Sequence, residues 1–252
     1  MRGKPFQEIG DSLGIGRRHR YTCLVSLNSK ALPRIARGLA AYCLVFLIVL
    51  AGRPSFTNAS LPVRGVADPV VALQMARTAD EAEAILGDAP SADREVMRVK
   101  QYVDFALIAG YLALGLVIAA ALYRTRCRRV AFFLGILVVL AALQDVRENL
   151  ATLRIVNLNL SQLRPAMLGA LRFTSVTKWI LLATAIVPLA IINVTQPRWY
   201  LRAAGFLSFA GVALTVAGLF YNSILVWGGL LMFLGPLLTA VTLRELTHES
   251  TS

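Results

Sequence analysis

Residues 104–129 read DFALIAGYLALGLVIAAALYRTRCRR. A run of apolar residues broken only by its leading acid ends abruptly in Arg124, Arg126, Arg128 and Arg129. An α-helix rises about 1.5 Å per residue and the hydrocarbon core of a bilayer is about 30 Å thick, so roughly 20 apolar residues cross it. The stretch reads as a membrane span, and the arginines mark the side on which it ends.

Five more segments of that kind flank it. The expected spans are 36–52, 104–122, 130–150, 177–194, 202–220 and 223–243. The last two are separated by little more than Tyr221 and Asn222, which predicts a tight helical hairpin. Composition agrees, with 57% hydrophobic and 16% charged residues where a soluble domain carries about 25% charged. The fold class is therefore all-α, a polytopic transmembrane helix bundle of about six spans over residues 36–243. Residues 1–35 read as a basic, disordered cytoplasmic tail and 244–252 as a second cytoplasmic tail. A leader this long predicts that the first span is a signal anchor, with a cleaved signal peptide as the alternative.

Orientation follows the basic residues. Fifteen of the 26 Lys and Arg fall on one side, in the leading tail, the Arg124–Arg129 turn, Arg198, Arg202 and Arg244. The other eleven, Arg154, Arg164 and Arg172 among them, fall opposite. The richer side is expected to be cytoplasmic, so both termini are too. The net charge of +12 reads as topology signal and contact with anionic lipid at the cytoplasmic face. Nucleic acid is not expected as a partner, because no recognisable binding module carries the charge.

The three cysteines, Cys23, Cys43 and Cys127, have no metal or redox spacing, and the two histidines, His19 and His248, sit in the tails. No disulfide framework, metal site or cofactor is expected. Nor does the chain carry a GxSxG, HExxH, P-loop or GxGxxG pattern.

Residues 53–103 form the one sizeable polar region, an insert expected on the extracytoplasmic side. Pro54 through Pro69 read as a loop. Thr78-Ala-Asp-Glu81 is a capping box that opens a helix ending at Gly87. Ser91 starts a second helix with Asp93 and Glu95 in its first turn, and no breaker separates it from the second span. Two short helices of this size predict a structural lid without its own core, with capture of a ligand or partner at the outer face as the alternative.

Ionisable residues inside spans are costly and point to a site. Counting rise along antiparallel spans places Asp104, Asp145, Glu148, Asn149 and Lys178 at one depth near the outer boundary. Arg147 is nearby on another part of its helix. Three readings stay open: a network pinning spans two to four, residues that merely mark the interface with Lys178 reaching outward, and a polar site for protons, cations or an amphipathic ligand. Gly115 with Ala119 and Ala204 with Ser208 read as small-residue packing pairs, and Pro188 and Pro236 as kinks.

Three stretches, ARTADEAEAIL at 76–86 running into Val103-Asp104-Phe105 with Tyr111, Asp145-x-x-Glu148-Asn149, and Thr177-Lys178-Trp179, together resemble a set of uncharacterised bacterial polytopic membrane proteins. The resemblance covers about residues 70–195. It implies a multi-pass protein of a bacterial cell (inner) membrane whose polar positions include Tyr111, and it implies no activity. The leading expectation is a non-enzymatic membrane protein with a polar network of Asp104, Tyr111, Asp145, Glu148, Asn149 and Lys178. A small ion-coupled carrier using the same acids is the alternative. A membrane-embedded enzyme comes third, since paired acids can serve as acid and base but no nucleophile or metal centre accompanies them.

Overall fold

The computed structural model describes residues 31–52, 54–58, 63–125 and 127–244. Expectations for 1–30 and 245–252, including Cys23, His19 and His248, lie outside the described residues. The helices are α1 (Ala31–Ala51), α2 (Pro69–Met75), α3 (Ala79–Leu86), α4 (Ala92–Tyr123), α5 (Arg128–Val156), α6 (Pro165–Val194), α7 (Trp199–Gly218) and α8 (Leu225–Val241). Six segments, α1, α4 to α7, and α8 with its preceding turn, are long and apolar enough to cross a membrane. The protein is an all-α, multi-pass membrane bundle. α1 includes Ala31 to Ile35, inside the segment read as tail.

The insert folds through local capping. Thr78 accepts the Glu81 amide at 3.2 Å, and Glu81 in turn accepts the Arg77 amide at 2.7 Å, one residue before the cap. Gly87 ends α3 with φ at +67°, a conformation that L side chains rarely adopt. Ser91 accepts the Arg94 amide, and α4 then runs unbroken for 32 residues into the membrane. The insert also contains a third helix that the pattern reading passed over, α2. Asp68 caps it by accepting the Val70 and Val71 amides at 2.9 and 3.0 Å, with Pro69 in the first turn. That is a standard start signal hidden at the end of a proline-rich stretch.

α1 packs on α4 and α8, α4 on α5, α5 on α6, and α6 on α8. These five close a ring, with α7 outside it against α6 and α8. The α7–α8 hairpin is the tightest seam. A Cβ at Gly218 would sit 2.6 Å from the Leu225 Cα, and one at Gly235 would sit 2.9 Å from the Ala204 carbonyl oxygen. Ala204 and Ser208 thus mark a close approach, as does Gly115, where a Cβ would meet Val138 at 2.7 Å.

Two apolar cores result. One fills the bundle, around Leu107, Leu114, Ile118, Leu182 and Met232. The second joins Phe56, Leu73 and Leu86 of the insert to Met97 of α4, Ile155 of α5 and Leu171 of α6. The insert buries its apolar residues not in a core of its own but against the borrowed ends of three long helices. α4, α5 and α6 have 32, 29 and 30 residues, about 44–48 Å each, well beyond a hydrocarbon core of about 30 Å. Basic residues on the projecting part of α4 finish neighbouring helices. Lys100 donates to the Leu50 and Gly52 carbonyls at the end of α1, and Arg94 donates to the Val156 and Leu158 carbonyls, both at 2.8 Å, at the end of α5.

Candidate functional site

Between the two cores lies a polar layer. α5 supplies Asp145, Glu148 and Asn149, whose i, i+3 and i+4 spacing puts all three on one buried face. α6 supplies Lys178. Its ammonium donates to Asp145 Oδ1 at 2.9 Å and to Glu148 Oε1 at 2.8 Å. The same nitrogen lies 5.0 Å from the Trp179 ring centroid. From α4, the Tyr111 hydroxyl donates to Asp145 Oδ2 at 3.0 Å. Glu148 is 1% exposed, Asp145 5% and Lys178 6%. Such a depth makes a charge tenable only when paired, since desolvation costs several kcal/mol per ion.

Asp104 and Asn149 form a neighbouring pair, with the Asn149 amide donating to Asp104 Oδ2 at 2.8 Å. Asp104 is close enough to interact electrostatically with Asp145, Lys178 and Glu148. All six sequence-predicted residues therefore fall in one layer, four in a continuous hydrogen-bonded chain and two beside it. Lys178 is drawn into the bundle rather than outward. Arg147 is exposed and faces away.

Sequence reasoning missed Gln74. It sits on α2, is 6% exposed, and its Nε2 donates to Glu148 Oε1 at 2.6 Å. The available signal was a single polar side chain within the apolar PVVALQM segment. Gln74 ties the insert directly to the charged layer. Three buried atoms in or against the layer have no hydrogen-bond partner: Glu148 Oε2, Gln74 Oε1 and Trp179 Nε1.

Tyr111 also reaches a cavity of about 50 Å³ inside the helix ring, walled by Cys43, Leu114, Val138, Ala185 and Phe233 among others. Its lining is apolar apart from the tyrosine hydroxyl and the Cys43 thiol. It is well below the ~150 Å³ of an apolar cavity that stays dry and takes up benzene, so it offers no room for a substrate. Among the described residues no group of His, Cys, Asp and Glu has the arrangement to hold a metal ion. What the layer can do chemically is pair charges and exchange protons. Set against family models, curated proteins and solved structures, the chain matches none.

Proposed function

We propose that the protein is a non-enzymatic integral membrane protein whose polar layer anchors an extracytoplasmic cap to spans two, three and four. The observation that carries this reading is the double engagement of Glu148, held by Lys178 of α6 and by Gln74 of the insert. One carboxylate joins membrane helix to cap. The 15 to 11 division of Lys and Arg supports cytoplasmic termini and contact of the arginine-rich end with anionic lipid of a bacterial inner membrane.

A double-mutant cycle on Asp145 and Lys178 tests anchoring. Removing one partner of a buried pair costs about 3–5 kcal/mol, more than removing both. Lys178→Met should be the costlier single change, since it leaves Asp145 and Glu148 without their cation. Asp145→Asn should cost less, because Lys178 keeps its hydrogen bond to Glu148, a carboxyl group that can give up any proton it holds and take over as counter-ion. The double variant should recover part of the loss in thermal unfolding of the detergent-solubilised protein. Strictly additive losses would reject the anchor.

An ion-coupled carrier is the second reading, favoured by one observation: Tyr111 links the acids to the cavity within the helix ring. Proton-driven flux in proteoliposomes that disappears in Asp145→Asn, with stability unchanged, would put the carrier in place of the anchor.

A further inference from the structure

The Gln74–Glu148 contact is half of a larger pairing. A carboxamide and a carboxylic acid can form a ring of two hydrogen bonds, N–H to one oxygen and O–H back to the amide oxygen. Here the first bond exists, from Gln74 Nε2 to Glu148 Oε1 at 2.6 Å. Among the described residues the two atoms that would make the second, Glu148 Oε2 and Gln74 Oε1, have no hydrogen-bond partner, since the Ser175 hydroxyl beside Glu148 donates to the Leu171 carbonyl. Both only accept when the glutamate is ionised. Two buried acceptors without a donor are costly. Turning the amide over does not help, because it only exchanges which carboxylate oxygen is bonded and still leaves two acceptors facing each other.

We propose that Gln74 and Glu148 form a proton-binding site, in which one proton on Glu148 Oε2 is donated to Gln74 Oε1 and closes the ring. One proton enters from water, one O–H bond forms, and no other bond changes. The groups facing Glu148 agree with this count. α4 presents Asp104 and Tyr111, α5 presents Asp145, α6 presents Lys178, and α2 presents no titratable group. Three carboxylates thus face one ammonium. A proton on Glu148 lowers the excess of carboxylate over ammonium from two to one, the one left being Asp104 beside the Asn149 amide, and keeps Glu148 Oε1 as an acceptor for both Lys178 and Gln74.

The consequence is a proton-dependent latch, which rests on the anchoring role proposed above. With the proton bound, two hydrogen bonds tie α2 to α5. Without it one remains, beside an unpaired acceptor on each partner.

Infrared spectroscopy of the full chain in proteoliposomes tests the site. The wild type should show the carbonyl stretch of a protonated carboxylic acid at neutral pH. Glu148→Gln, an isosteric change that preserves the amide pairing, should lose it. Gln74→Leu should shift it, as the acid loses its acceptor. Should that variant not fold, Gln74→Asn, one methylene too short to close the ring, should give the same shift. The protection factors of the α2 amides, corrected for the base-catalysed intrinsic rate, should fall about tenfold, the worth of one hydrogen bond, as the band titrates away in the wild type, and stay flat in Glu148→Gln. A wild type without the band, or a band insensitive to both positions, overturns the proton site while leaving the anchor standing on its own cycle. An additive Asp145–Lys178 cycle would reject the anchor whatever the infrared bands show.

Discussion

Glu81 shows how a single side chain stabilises the cap. It accepts the Arg77 amide and pairs with Arg64 at 2.7 Å. Partial burial works against its charge, but the Arg77 amide and the Arg64 guanidinium outweigh it and hold the carboxyl below the ordinary range for glutamate. A carboxyl depressed in the folded state contributes stability above its unfolded value, near 4.3, and loses that contribution as pH falls through the lower folded value. The thermal midpoint of the wild type should therefore drop in acid. Glu81→Gln should be less stable at neutral pH by at most about 1 kcal/mol, as for a mostly solvated pair, and should lack that part of the acid dependence. An identical acid profile in both would mean Glu81 contributes nothing. At this scale Asp145, Glu148 and Lys178 were legible because charges stand out against apolar spans. Gln74 was not, since one amide in a short segment carries no periodicity.

Among the elements, α4 belongs to both the membrane and the cap. Its continuity across residues 96–103 transmits position from one to the other. Tyr102 is 60% exposed, so a substitution there acts mainly on the backbone. Tyr102→Pro should cost about 3 kcal/mol through the lost hydrogen bond and the clash with the preceding turn, whereas Tyr102→Ala should cost little. Equal thermal midpoints for the two would mean that continuity does not matter. The α7–α8 hairpin depends instead on missing side chains. A Cβ at Gly211 would overlap the Met232 backbone nitrogen, while one at Gly169 would meet open space. Gly211→Ala should destabilise by about 1–3 kcal/mol, and Gly169→Ala should be neutral or stabilising by up to about 1 kcal/mol. Calorimetry showing no difference between them would contradict the close packing of this seam.

For the whole molecule, the polar layer lies where the bundle core gives way to the cap core. Spans two, three and four carry both. This arrangement also accounts for basic residues on the side poorer in charge. Arg94 and Lys100 are 4% and 8% exposed and complete the ends of α5 and α1, so they serve the fold rather than topology. Discounting them sharpens the asymmetry that predicts cytoplasmic termini. On a cysteine-free background, an impermeant thiol reagent added from outside should label Ala89→Cys and spare Thr125→Cys. Labelling of position 125 alone would invert the orientation.

Composition and spacing were enough to read the class of fold and to bring the charged residues to one level of the bundle. Span length and hydropathy are local properties set by the bilayer, and rise along a helix converts position into depth. The helix starts at Thr78 and Ser91 were equally local, resting on capping chemistry within one turn. What the charges touch follows from packing between distant segments. α2 meets Glu148 across 74 positions of chain, a contact set by how the insert folds back over α4, α5 and α6. The core of the insert was hidden for the same reason. Its apolar residues find partners at the ends of three distant helices, and their burial depends on packing that no local pattern specifies.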